Sequence, residues 1–331
     1  MSAPVLQVRD LRVRLSSPRG VVQAVRGVSF DVQAGHTHGI VGESGSGKTT
    51  LLRSILGLLP GNATAAGTIS VSGRQVPLAG GRTKAVDGVS IVFQEPMTAL
   101  NPVVRVGHQI SEAPRHKLGL GRRAARDRAL ELMRQVGIPD PVRRFDAYPH
   151  ELSGGLSQRV LIAIALSAEP KIILCDEPTT ALDVTVQDQI LKLFSRISEE
   201  TGVAIVYVTH DLAVVAQTCR TVSVMYAGQF LESGTIDAVF GRSRHPYTLG
   251  LLGAVPDVSR GRTPLVAIPG SPPDLVSPGK GCPFLPRCSY AREECSRGEF
   301  SLQSLNHHQA TACIRSDALV GAVDAAEADA S

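Results

Sequence analysis

Tryptophan is absent from this chain, and aromatic residues of all kinds make up only 4% of it. No long apolar run occurs. The longest, "VLIAIAL" (160–166) and "KIILC" (171–175), fall far short of the roughly 20 residues that span a bilayer, which excludes a transmembrane helix. The first residues, "MSAPVLQVRDLRVRL", alternate apolar and charged side chains and lack the apolar core of a signal peptide. Cysteine is scarce, six in 331 residues. With no sign of secretion, a cytosolic chain with reduced thiols is expected, not a disulfide framework. A strong charge of one sign is missing too. The formal net charge is +4, too mild and dispersed to argue for a nucleic-acid partner. The remainder, 43% hydrophobic and 19% charged, is the composition of a soluble globular protein, long enough for one large domain plus an appendage.

What is present reads as alternating strands and helices. "VLQVRDLRVRL", "AVRGVSFDV" and "THGIVG" predict strands, the last running into a glycine-rich turn. Apolar residues at 129, 130, 132, 133 and 136 predict a helix over 123–137, which Gly137 ends with Pro139 beyond it. Strand signals return in "KIILCDE", in "VAIVYVTHD" and in "TVSVMYAGQFLESG", the last as a hairpin. Alternation of this kind favours an α/β sheet. The stretch 95–159, richer in Arg and Pro, reads as a helical insertion. After Gly241 the texture turns Pro/Gly-rich and loop-dominated over 241–316, and the acidic, alanine-rich 317–331 reads as a frayed or disordered tail.

"GIVGESGSGKTT" (39–50) carries G-x-x-x-x-G-K-[ST] directly after an apolar strand and before the apolar "LLRSILGLL". Gly42, Glu43, Ser44, Gly45, Ser46 and Gly47 supply backbone N–H groups that curl around phosphate oxygens, and the following helix adds its dipole. Lys48 is expected at the β- and γ-phosphates, with the Thr49 hydroxyl on Mg²⁺ and Thr50 beside it. "IILCDEP" (172–178) is a buried strand presenting Asp176 and Glu177 at its end. Asp176 is expected to hold Mg²⁺ and Glu177 to polarise the attacking water. An acidic pair at a strand end is weak evidence alone, and its surroundings give it meaning.

Those surroundings are "LSGGLSQR" (152–159), "IVFQEP", "TALD" (180–183) and "YVTHD". With them, residues 5–240 resemble the ATP-binding-cassette (ABC) ATPases. The resemblance implies a P-loop fold with a RecA-like core, an antiparallel β subdomain and a helical subdomain over about 95–159, the whole spanning 1–240. It implies that Ser153, Gly154 and Gly155 close over the γ-phosphate of ATP held by an opposite subunit. It places Gln94 at Mg²⁺ and water, Asp183 at a dimer interface and His210 at the γ-phosphate. ATP and Mg²⁺ are thus the implied cofactors, and Lys48, Glu177 and His210 the catalytic set. One departure concerns the base. The family stacks adenine on an aromatic residue upstream of the phosphate loop, yet no aromatic precedes Phe30. The stack is absent or replaced, with Arg19 as the candidate.

Within that family the chain is most similar to the D-type ATPase subunits of oligopeptide, dipeptide and nickel importers. "VFQEPMTALNPVVRVGHQI", "HPYTLGLLGAVP" (245–256), "IPGSPP" (268–273) and the cysteine segment carry this likeness. It implies a peripheral subunit at the cytoplasmic face of the membrane, bound under two transmembrane permease subunits, with residues 95–115 receiving a helix from one of them. An extracytoplasmic substrate-binding protein completes such a system. Leu156, where Gln is commoner, implies a different, F-type ATPase as partner. Peptide is the implied cargo, with nickel or another small solute as the alternative. A soluble cassette ATPase acting on DNA or ribosomes is disfavoured by the single nucleotide motif and the lack of coiled coils. A regulatory module that holds nucleotide without turnover is disfavoured by Glu177 and His210.

Cys282, Cys288, Cys295 and Cys313 follow C-x₅-C-x₆-C-x₁₇-C. Structural zinc uses tighter pairs, and the segment resembles cluster-bearing extensions of the importer branch, so a [4Fe–4S] cluster is expected here. Zinc and ordinary reduced thiols remain the alternatives. His307 and His308 are alternative ligands expected to face solvent, and Cys175 and Cys219 are expected as plain buried thiols.

Overall fold

Valine and isoleucine runs interrupted by glycine turns build two sheets in the computed structural model, which describes residues 3–78, 86–180, 182–255, 267–298, 300–317 and 319. The expected tail therefore lies almost wholly outside the described residues. The strands are β1 (Leu6–Ser17), β2 (Gly20–Val32), β3 (Thr37–Val41), β4 (Ala63–Val71), β5 (Arg74–Gln75), β6 (Val89–Val92), β7 (Ile172–Asp176), β8 (Ala204–Thr209), β9 (Thr221–Tyr226), β10 (Gln229–Thr235), β11 (Gln303–Asn306) and β12 (Gln309–Thr311). The helices are α1 (Lys48–Ile55), α2 (Pro96–Ala99), α3 (Val106–His116), α4 (Arg122–Gln135), α5 (Pro141–Phe145), α6 (Gly154–Ser167), α7 (Val184–Thr201), α8 (Leu212–Thr218), α9 (Ile236–Gly241) and α10 (Pro246–Gly253).

One sheet has the order β2-β1-β4-β5, its pairings antiparallel. The other runs β11-β12-β10-β9-β3-β8-β7-β6, and its β9-β3-β8-β7-β6 portion is parallel. Its central strands are apolar along their length because both faces are covered. Successive residues point to opposite sides. Ile173, Cys175, Ile205 and Tyr207 join one core with α3, α4, α6 and α7. Ile172, Leu174, Val206 and Val208 join the other, with α1 and the antiparallel sheet.

The predicted helix over 123–137 is α4, and Gly137 follows it at φ 75°, a left-handed conformation suited to glycine. The predicted hairpin is β9–β10, turned by Ala227 (φ 49°) and Gly228 (φ 78°). Helices α2–α5 fall in the stretch read as a helical insertion. There Phe145 is buried against Gly107, where an added Cβ would lie 2.2 Å from its ring. The extension departs from a purely loop reading. Its β12 pairs with β10 and β11 pairs with β12, lengthening the core sheet. Buried side-chain bonds add to the backbone ones, Gln309 Nε2 donating to Glu232 Oε1 at 2.7 Å and Thr311 Oγ1 to the Leu231 carbonyl at 3.4 Å. Among the described residues no helix is long and apolar enough to cross a membrane.

Candidate active site

Four neighbouring parallel strands end at one edge, and each leads into a residue that the sequence marks. Gly42 follows β3, His210 follows β8, Asp176 and Glu177 end β7, and Gln94 lies two residues past β6. The register aligns Val41 with Thr209, Asp176 with Val208 and Val92 with Cys175. The carboxyl edge of a parallel sheet is where such folds bind ligands.

The phosphate loop needs its glycines for space. A Cβ on Gly42 would lie 2.0 Å from the Met225 carbonyl oxygen, and one on Gly47 2.2 Å from that of Ala24. Gly47, at φ 106°, caps α1 without a side-chain partner, so the helix N-terminus stays open to an anion. Lys48 folds back over the loop, its Nζ donating to the carbonyl oxygens of Gly42 (2.7 Å) and Glu43 (2.9 Å) and to Ser46 Oγ (3.4 Å). Burial lowers the Lys48 pKa, and the charges of Glu177, Asp176 and Glu43 oppose that shift. Ser44, Gly45 and Thr49 are exposed, and Thr50 is half-buried.

Glu177 is the hub. Its backbone stands at φ 47°, rare for a residue with a side chain. A bond from its N–H to the Val208 carbonyl (2.8 Å) holds it there. Its carboxylate accepts from His210 Nδ1 at 2.9 Å, Thr180 Oγ1 at 3.1 Å and Gln94 Nε2 at 3.3 Å. Asp176 beside it has a raised pKa, first from burial and then from the Glu177 charge, with Lys48 and Arg53 opposing. The site thus pairs one buried cation with two adjacent carboxyls, one of them fixed by three donors.

Ser153, Gly154 and Gly155 lie elsewhere. Ser153 caps α6, its Oγ accepting from Leu156 N, and Ser153 and Gly154 are exposed while Gly155 is half-buried. A Cβ on Gly155 would lie 2.7 Å from Val186 Cγ1 in α7, so glycine lets the two helices meet. Asp183 caps α7 by accepting from Val186 N (2.9 Å), beside Val184, which is 82% exposed. Ala181 of the same motif lies outside the described residues. Among the described residues, none of these side chains bonds to the phosphate loop. Arg19 sits beside Asp274 at 3.6 Å.

Sequence reasoning missed three residues here. Thr180 shares a motif with Asp183 and lies one turn past Glu177, so its position was the available signal. Tyr247 and Arg287 had none. Tyr247 Oη accepts from the Glu43 backbone N–H at 2.9 Å, and Arg287 grips the Glu43 carboxylate from the far end of the chain.

The expected [4Fe–4S] cluster is corrected. Cys282, Cys288, Cys295 and Cys313 do line one small cavity, of about 20 Å³. Yet among the described residues no group of three or more His, Cys, Asp or Glu side chains is disposed to hold a metal ion. The same finding removes zinc. All four are free cysteines. Burial pushes Cys282 up to about 11 and raises Cys288 and Cys313, favouring thiols over the thiolates that ligate metal. They pack as small apolar groups near Phe284 and Phe300. His307 and His308 are exposed, and Cys175 and Cys219 are buried, as expected.

Comparison with known proteins agrees with the edge chemistry. The family pattern described as "ABC transporter" matches residues 25–180. That described as "Oligopeptide/dipeptide transporter, C-terminal region" matches residues 231–295. The chain is 47% identical over 298 residues to the dipeptide transport ATP-binding protein DppD of Bacillus subtilis, covering 88% of this chain and 89% of that one. It is 43% identical over 313 residues to the oligopeptide transport ATP-binding protein OppD of Haemophilus influenzae, covering 94% and 97%. Among solved structures, cbiO1 from Clostridium perfringens, described as part of the ABC transporter complex cbiONQ, superposes with a TM-score of 0.63 at 29% identity, covering 72% of this chain and 92% of that one. The ATP-binding cassette MJ0796, solved as a dimer with ADP and Pi, gives 0.61 at 26% identity, covering 70% and 98%. The two sheets and the helices around them are the mixed α/β fold of these ATPases. This chain belongs to the ATP-binding subunits of the oligopeptide/dipeptide ABC importer family.

Proposed function

We propose that this chain hydrolyses ATP to drive uptake of peptides, working peripherally at the cytoplasmic face of the cell membrane. Two transmembrane permease subunits above it and an extracytoplasmic substrate-binding protein complete the system. The peptide reading draws on the relatives, which are named for dipeptide and oligopeptide transport. Hydrolysis rests on one observation: His210, Thr180 and Gln94 converge on the Glu177 carboxylate beside Lys48 and Asp176. A carboxylate so fixed accepts a proton from water attacking the γ-phosphate. His210 and Thr180 keep it aimed. Lys48, turning from the loop carbonyls, meets the phosphates, and the amides from Ser44 to Thr50 cradle them.

The residues present suit Mg²⁺. Asp176, Thr49 and Gln94 offer a carboxylate, a hydroxyl and an amide oxygen, the hard donors this ion takes. Asp176 is raised by burial and by Glu177, so a cation relieves it. When bound, the ion neutralises charge on the phosphates.

Ser153, Gly154 and Asp183 are exposed and Gly155 is half-buried behind them, and in this reading the four serve the site of a second ATPase subunit, an F-type partner. Phe93, Met97 and Val103, each at least 45% exposed in the segment from β6 to α3 that contains Gln94, begin the apolar surface on which a permease helix docks. The test measures phosphate release by the isolated chain and after co-expression with candidate F-type subunits. Turnover should be slow alone and rise with the partner. A fully active homodimer indifferent to any partner would refute the pairing, and absence of phosphate release in every combination would refute the ATPase reading.

A further inference from the structure

The C-terminal extension reaches the phosphate loop. Arg287 lies in a short 3₁₀ turn, Leu285–Arg287, and its side chain is only 5% exposed. It grips Glu43 through two parallel bonds, Nη1 to Oε2 at 2.7 Å and Nη2 to Oε1 at 3.0 Å. Nε donates to the Pro269 carbonyl at 2.7 Å, and Nη1 also reaches Tyr226 Oη at 3.3 Å. Tyr247 accepts from the Glu43 backbone N–H. The chain has few aromatic residues, yet three gather behind this contact. Tyr226 and Tyr247 lie 4.6 Å apart between ring centroids, and Phe284 lies 5.5 Å from one and 5.3 Å from the other. A second seam holds the same extension to β2, where Gln23 N donates to the Leu275 carbonyl at 2.9 Å.

Glu43 is an awkward residue for its place. It adds a carboxylate to a loop whose task is to attract phosphate, and like charges in a poorly solvated site repel. A bidentate guanidinium cancels that charge and fixes the side chain's direction. Lys48 cannot serve, because a phosphate draws it away from the loop carbonyls it now holds. The Arg287 and Tyr247 contacts do not depend on Lys48, so they persist with nucleotide bound.

We propose that Arg287 is a positioning residue for ATP binding: from the C-terminal extension it neutralises Glu43 and, with Tyr247, holds the first turn of the phosphate loop in place. The extension is then a working wall of the nucleotide site, and undocking it costs ATP affinity. This rests on the ATPase reading above. The effect falls on binding more than on chemistry, because neither residue touches Glu177 or His210.

The experiment compares MgATP affinity by calorimetry, together with KM and kcat, for the full chain and four variants. Arg287→Ala should raise Kd and KM about tenfold while kcat changes less than about threefold, as loss of uniform binding requires. Arg287→Lys, a charge without the fork, should fall between. The decisive variant is Arg287→Ala combined with Glu43→Gln. Removing the bare carboxylate should return Kd to within about threefold of the unmodified chain, an outcome that lost packing alone does not produce. Tyr247→Phe keeps the ring and removes only the acceptor, so it stays informative if Arg287→Ala misfolds. It should raise Kd about threefold. Unchanged affinity in Arg287→Ala and Tyr247→Phe overturns the proposal, as does a defect that Glu43→Gln leaves untouched. An unmodified chain that does not bind MgATP would instead refute the ATPase reading itself.

Discussion

Replacing Glu177 by Gln is the sharpest perturbation of the site, because it changes one atom and almost no volume. The carboxylate now accepts from His210, Thr180 and Gln94. Each bond to a charged acceptor contributes about 1.5–3 kcal/mol, against about 0.5–1.5 for a neutral one. The amide keeps one oxygen as acceptor and turns its NH₂ toward groups that were donating, so two of the three contacts weaken or invert. Local order should loosen by about 1–3 kcal/mol, which thermal melting resolves. The catalytic loss is larger. Gln cannot take a proton from water, and a positioned base contributes about 10²–10⁴-fold. Lys48 and the loop glycines are untouched, so MgATP affinity should hold within about threefold. Phosphate release and nucleotide binding, measured on the same preparation, separate these terms. A Glu177→Gln protein with more than about a tenth of the unmodified turnover would remove Glu177 from the base role, since even the low end of that range is lost with it.

Lys48→Ala should act oppositely, weakening MgATP binding itself because the cation facing the phosphates is gone, and calorimetry reads the difference directly. Gly155→Ala should cost about 1–3 kcal/mol of stability, because its Cβ would lie 2.7 Å from Val186 Cγ1 between two packed helices; an unchanged melting temperature would show that α6 and α7 part freely. His38 is buried against Phe30 and Thr221, and burial lowers its pKa to about 4. The folded chain thus stays unprotonated there while the unfolded chain gains a proton, so stability is full above pH 6.5 and falls as pH drops toward 4. The full shift is about 3 kcal/mol. Urea melts across that range should show His38→Gln losing less stability on acidification than the unmodified chain. Equal slopes would refute the assignment.

Much of this protein was determined by its sequence alone. The phosphate loop, Asp176–Glu177, Gln94 and His210 were legible because each is a short motif set by a strand and the turn after it. Such motifs encode their own backbone path: Gly42 and Gly47 stand where any Cβ would strike a carbonyl oxygen. The strands and α4 followed from periodicity, which local burial imposes residue by residue. Tertiary structure decided what depends on distance along the chain. Strand β12 forms on the open edge of β10 and β11 then pairs with β12, and no pattern in "QSLN" or "QAT" announces that. Cysteine spacing suggested ligands, but burial made protonated thiols of at least Cys282, Cys288 and Cys313 and left no metal-holding group among the described residues. Arg287 meets Glu43 across 244 residues. Its partner is chosen by where an aromatic seam seats the extension, and a contact made by packing leaves no local trace in the sequence.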